Sequence, residues 1–138
     1  MVRPSGYYGR ELGEGFAIGK SSSIGPYCYI GCSGYIEIGE RVMLAPAVRM
    51  FAENHNFDDA VIAIKNQGVS RNGIQVEDDV WLASGVTVTA GVRIGRGAVI
   101  GAASVVTSDI PAMAVATGIP ARVIRMRADS ARAPIPSF

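Results

Sequence analysis

Histidine occurs once in this chain, at His55, tryptophan once, at Trp81, and cysteine only twice, at Cys28 and Cys32. A four-ligand zinc site would have to recruit carboxylates from elsewhere, and the two cysteines read more simply as reduced, small apolar residues. Charge of one sign is also scarce. Thirteen Lys and Arg stand against 12 Asp and Glu, a net charge of +1, which argues against a field-driven grip on nucleic acid or on an anionic membrane. No apolar run approaches the ~20 residues of a bilayer span, and the opening MVRPSGYYGR lacks the apolar centre of a secretory signal. The expectation is a soluble cytoplasmic protein with no membrane span and no nucleic-acid partner. Its 138 residues suffice for one domain, spanning 1–138, that buries a core without disulfides or metals.

What the chain does have is glycine, 17 residues, and a fixed period. From residue 76 it counts in sixes: VEDDVW, LASGVT, VTAGVR, IGRGAV, IGAASV, VTSDIP. Val76, Leu82, Val88, Ile94, Ile100 and Val106 open the hexads, and Val80, Val86, Val92, Ala98, Ser104 and Ile110 follow four positions later. A helix needs apolar residues at three and four, and a hairpin sheet needs sustained alternation, so neither fits. Short strands separated by tight corners do. Three sides close a coil of about eighteen residues, and stacked coils pair as parallel strands roughly 4.8 Å apart. Glycines and small residues are expected to supply the corners.

The first half keeps the same step at Ile18, Ile24 and Ile30, then at Ile38, Leu44 and Met50, with a slip of two residues near Ser33 and Gly34. Met50 and Val76 are 26 positions apart, again two more than a multiple of six. Residues 51–73, rich in Asn, Asp, Lys and Gln, therefore read as a loop thrown out of the coil, with VIAI at 61–64 packing back or pairing locally. Such loops on a rigid solenoid concentrate function, although a tolerated insertion looks the same by position alone. The tail at 128–138, ADSARAPIPSF, reads as a short helical turn followed by a Pro-rich end.

The hexads, the loop motif NHNFDD, the run VWLASGVTVTAGVRIGRGAVIGAASVVTSDIP and the closing ATGIPARVIR together resemble the hexapeptide-repeat acyltransferases, over roughly residues 18–127. The likeness is greatest to the maltose and galactoside O-acetyltransferases and to those of polysaccharide biosynthesis. It implies an all-β fold, a left-handed parallel β-helix. The general preference for right-handed crossovers predicts the opposite hand, so only the resemblance gives it. It also implies a homotrimer with active sites between chains, acetyl-CoA as acyl donor and a sugar hydroxyl as acceptor.

A sugar hydroxyl is a poor nucleophile until a base takes its proton, and histidine, with an unperturbed pKa of about 6.5, suits that task. By resemblance His55 is the base of a direct transfer with no acyl-enzyme. Taken by itself it is equally an ordinary surface histidine. The resemblance further implies that Trp81, Ser84, Ala102, Thr107 and Ser108 line the cofactor cleft and that Arg122 and Arg125 face the nucleotide phosphates, as the planar donor fork of arginine suits. Their bland counterparts are packing beneath the loop for Trp81, a plain corner residue for Ser84 and a solvated edge for the arginines. Asp58 and Asp59 either orient the imidazole, bind the acceptor or are simply solvated.

The chain departs from the family in three places. Ser108 stands where lysine is frequent, Gly25 where the galactoside enzymes carry an acceptor-binding asparagine, and the N-terminal helical segment typical of the maltose and galactoside members is not expected here. The acceptor residues are therefore unassigned. N-acetylation of an amino sugar, transfer to an antibiotic hydroxyl, and a non-catalytic β-helical scaffold remain open alternatives. A carbonic anhydrase on this coil would need three histidines and is set aside.

Overall fold

The computed structural model describes residues 13–127. The chain winds through four coils of three short strands each. The first holds β1 (Phe16–Ile18), β2 (Ser23–Ile24) and β3 (Tyr29–Gly31), the second β4 (Ile36–Ile38), β5 (Met43–Leu44) and β6 (Arg49–Phe51). An antiparallel ribbon of β7 (Glu53–His55) and β8 (Val69–Arg71) then leaves the stack. The third coil is β9 (Ile74–Val76), β10 (Trp81–Leu82) and β11 (Thr87–Val88), and the fourth β12 (Arg93–Ile94), β13 (Val99–Ile100) and β14 (Val105–Val106). A hairpin of β15 (Ala114–Gly118) and β16 (Ala121–Met126) ends the described chain. The excursion carries a single 3-10 turn, Ile64–Asn66, and among the described residues no helix is long and apolar enough to cross a membrane.

Corresponding strands stack in parallel into three faces. The first face runs β1-β4-β9-β12, the second β2-β5-β10-β13-β15-β16, and the third β3-β6-β11-β14. Register confirms the hexad count: Val76 pairs with Ile94, Leu82 with Ile100 and Val88 with Val106, each 18 positions on. All six anchors from Val76 to Val106, and all six residues four positions later, point inward and are buried. The fold is thus a left-handed parallel β-helix, as expected. The anchors of the first coil differ: Ile18 and Ile24 remain 38% and 41% exposed, because theirs are the outermost strands of their faces.

The expectation that small residues make the corners holds only in part. The left-handed position between the first and second faces is taken successively by Ser21, Arg41, Asp79, Gly97 and Met113, with φ between 56° and 71°. Coil closure imposes this conformation on whatever side chain occupies the site, at a cost of roughly 1–2 kcal/mol for a non-glycine residue. The hairpin at the end was not anticipated. There β15 continues the second face in parallel with β13, while β16 turns back antiparallel, with a register shift at Val115 and Ala116. The segment 128–138 lies outside the described residues.

Candidate functional site

Both interruptions of the period fall at one corner, between the third and first faces. Gly34 sits there beneath the foot of the excursion, where an added Cβ would lie 2.5 Å from the Ala52 carbonyl oxygen. Above it, the backbone N–H of Asn72 donates to the Ala52 carbonyl. The excursion then rises as the ribbon, pairing Glu53 with Arg71, Asn54 with Ser70 and His55 with Val69. Strand alternation places Glu53, His55, Val69 and Arg71 on one side of that ribbon. The expected role of VIAI is not met. Val61, Ile62 and Ile64 are 93%, 50% and 55% exposed, and the local pairing is made by β7 with β8 instead.

His55 is exposed, and its imidazole makes no hydrogen bond or ion pair with any described residue. Its backbone is fixed on both sides. Beyond the ribbon pair, Asn56 donates its backbone N–H to Gly68 and its side-chain Nδ2 to the Gln67 carbonyl, and its Oδ1 accepts from the Ser70 hydroxyl. Asp59 does not orient the imidazole: its Oδ1 accepts the backbone N–H groups of Val61 (2.8 Å) and Ile62 (3.1 Å). Those bonds, Val61 first, hold its pKa below the ordinary carboxylate range. Asp58 is exposed and makes no hydrogen bond among the described residues.

The sequence-predicted cofactor residues divide between two corners and a face. Ser84 and Ala102 occupy the corner between the second and third faces, in successive coils, and the Ser84 carbonyl accepts from the backbone N–H of Ala103 at 2.9 Å. Below them Gly85 donates to Pro46, and Arg49 of the third face reaches the Gly85 carbonyl at 3.4 Å. Thr107 and Ser108, both exposed, lie on the opposite corner, the one from which the His55 ribbon springs two coils earlier. The strands of the third face separate the two groups.

Trp81, Arg122 and Arg125 belong to the second face. The outward row there runs Ser23, Met43, Trp81, Val99, Val115 and Arg125, as the strand register dictates. Met43, Trp81 and Val99 line a hollow of about 200 Å³ rimmed by Arg41, Asp79 and Arg127. Arg122 is exposed, with Nη1 bonded to the Ala121 carbonyl. Arg125 is different: its Nε and Nη1 are buried with no hydrogen-bond partner among the described residues. Two donor atoms of a permanently charged group are thus unsatisfied within the described chain. Larger hollows of 280 and 390 Å³ lie along the first face around Glu37 and Gln75, and none of the predicted site residues lines them.

A family model described as bacterial transferase hexapeptide (six repeats) matches residues 73–108. The galactoside O-acetyltransferase of Escherichia coli is 40% identical over 90 residues, 65% of this chain and 43% of the relative. Among solved structures, a maltose O-acetyltransferase from Clostridium difficile superposes with a TM-score of 0.67 at 35% identity, covering 83% of this chain and 68% of that one. An acetyltransferase from Vibrio cholerae, solved in complex with acetyl-CoA, gives 0.64 at 27% identity over 85% and 73% of the two chains. The chain spans about two-fifths of the length of the curated relatives it matches. With its four coils of six-residue repeats, its extruded ribbon and this likeness to the maltose enzyme over most of both chains, the chain belongs to the hexapeptide-repeat acyltransferases.

Proposed function

We propose that this protein is a cytoplasmic, homotrimeric acyltransferase, one domain over 1–138, that moves an acetyl group from acetyl-CoA to a hydroxyl of a sugar or saccharide. The observation that carries the reading is the division of the candidate residues. His55 springs from one edge of the third face and Ser84 with Ala102 stands on the other, so a single chain presents two half-sites. A second copy related by rotation sets the ribbon of one against the corner of the next, and a third closes the ring. The ribbon tip, where Phe57, Val61, Ile62 and Ile64 are all at least half exposed, and the Met43–Trp81–Val99 row of the second face supply apolar surface for that contact.

In the assembled site the neutral imidazole of His55 takes the proton of the acceptor hydroxyl as its oxygen attacks the thioester carbonyl. The C–S bond breaks, and the imidazolium returns the proton to the departing thiolate. The exposed Ser84 and Ala102 flank the reacting end, and backbone N–H groups of their corner are the available donors for the developing oxyanion. The orphaned donors of Arg125, with Arg122 beside them on β16, fit the phosphates at the other end of acetyl-CoA. The likeness to the acetyl-CoA complex supports this donor.

The test is thiol release from acetyl-CoA over a panel of maltose, galactosides, glucosamine and chloramphenicol. His55→Ala is expected to lower the acceptor-dependent rate by about 10² to 10⁴. Release that the substitution leaves untouched removes His55 as the base, and no acetyl-CoA binding at all leaves a scaffold. Refolding equal amounts of inactive His55→Ala and Arg125→Ala chains together tests the shared site. The mixture should regain roughly a quarter of wild-type activity, since each site has an even chance of an intact His55 from one chain and an even chance of an intact Arg125 from its neighbour. A mixture as inactive as its components places both residues in one chain's site.

A further inference from the structure

From Asn54 to Gly73 every side chain is exposed except one, and that one is Gln67. A 20-residue excursion with no buried apolar residue has no hydrophobic reason to hold a shape. The β7–β8 ladder holds its stem, and what closes its tip is the Gln67 amide. Oε1 accepts the backbone N–H of Asp59 at 3.1 Å, while Nε2 donates one hydrogen to the Asp59 carbonyl at 2.9 Å and the other to the Ile62 carbonyl at 2.7 Å. Both amide hydrogens and one oxygen lone pair are therefore used, and the partners fix which end is oxygen, since a flipped amide would set oxygen against two carbonyls.

The same residue reaches the other limb through its backbone. The Gln67 carbonyl accepts Asn56 Nδ2 at 3.1 Å, and Asn56 directly follows His55. The tip closed by Gln67 and the ribbon pair His55–Val69 are thus joined through one residue. Asp59 completes the tip by turning the chain onto Val61 and Ile62. None of this network touches the coil core, whose side chains pack independently of it.

We propose that Gln67 is a positioning residue for His55: its amide cross-braces the excursion and sets the stand from which the imidazole enters the neighbouring chain's cleft. The inference rests on the reading of His55 as the base. A glutamine is suited to the task because its three bonds all go to backbone atoms, which no change of neighbouring side chain removes.

Two substitutions separate this role from general stability. Gln67→Ala removes the brace. Gln67→Glu keeps its shape but turns Nε2, the donor to two carbonyls, into an oxygen that those carbonyls repel. Each variant is compared with wild type and His55→Ala in the acceptor assay, alongside NMR of the imidazole, which the single histidine makes unambiguous. A misplaced base costs about a hundredfold, so both variants should lose kcat on that scale while KM for acetyl-CoA stays within about twofold. The His55 resonances should move and the Asn56 amide should exchange faster, with the thermal midpoint of the coil unchanged. An inactive His55→Ala beside Gln67→Glu with wild-type kcat overturns the positioning role and leaves the base assignment standing. A lost kcat with unmoved His55 resonances also overturns it. An active His55→Ala overturns the base assignment and the positioning role together.

Discussion

Asn72 donates its backbone N–H to the carbonyl of Ala52 at 3.1 Å, so the two ends of the excursion are hydrogen-bonded to each other at the wall of the coil. The stack is therefore expected not to depend on what lies between them. Replacing residues 53–71 with a single glycine should leave a cooperative thermal transition close to that of the full chain, followed by circular dichroism, while acetyl transfer disappears. A chain that no longer unfolds cooperatively would mean that the ribbon is part of the fold and not an addition to it.

Gly34 sits directly under that junction. A methyl group there would meet the Ala52 carbonyl oxygen at 2.5 Å and the Ala52 Cβ and Asn72 carbonyl carbon at 3.3 Å. These are mostly backbone atoms and cannot rotate aside. Gly34→Ala is expected to destabilise the protein by ~1–3 kcal/mol in urea unfolding. It should also displace the His55 ribbon, so activity should fall further than stability alone accounts for.

Hexad position alone does not fix the cost of truncation. Leu82 and Ile24 occupy the same position of the repeat on the second face, yet Leu82 is fully buried and Ile24 is 41% exposed at the outermost strand. Leu82→Ala should cost ~2–5 kcal/mol, by lost transfer energy and a cavity between Leu44 and Ile100. Ile24→Ala should cost clearly less in the same unfolding experiment. Equal values would show that the first coil is covered in solution.

One contribution to the pH dependence of stability is expected from the first face. The Glu77 carboxylate accepts from the Arg93 guanidinium, through Nε at 2.9 Å and through Nη2, and from the backbone N–H of Arg96 at 2.7 Å. These contacts, Arg93 first, hold its pKa below the usual glutamate range. A carboxyl depressed in the folded state binds its proton more weakly there than in the unfolded chain. Its stabilisation is present above the unfolded value of about 4.3 and is lost as pH falls through the lower folded value. The effect is small, because the pair is exposed and screened. Glu77→Gln should reduce the drop in Tm between about pH 6 and pH 3. An unchanged drop would assign the acid sensitivity elsewhere.

Six-residue spacing made the coils legible because each anchor has only one place to go, the interior, and the 18-residue register follows from it. The bend residues were less legible. Arg41, Asp79 and Met113 adopt a left-handed conformation because the coil must turn there, against their own preference. The hairpin β15–β16 was invisible to periodicity because antiparallel pairing abandons the sixfold count. Ser104 shows a subtler limit. It falls at a buried hexad position and looks like a small filler, but its hydroxyl accepts the backbone N–H of Gly118 at 3.0 Å and ties the hairpin to the coil. At the candidate site, His55 stood out by being alone, whereas Gln67 carried no signal, since bonds from one amide to distant backbone atoms leave no pattern in sequence. The placement of the candidate residues on two edges of a face was equally hidden, because it depends on which corner each hexad occupies.

The ribbon also sets how far apart in sequence the stacked strands lie. Leu82 is 18 positions from Ile100 but 38 from Leu44, its partners on either side. Closing the longer segment costs only about 0.6 kcal/mol more in chain entropy, since that cost grows with the logarithm of length. The third and fourth coils thus have the shorter path to each other, and folding that begins there would dock the first two coils afterwards. The excursion therefore lengthens one step of coil closure while weighing little on its entropy.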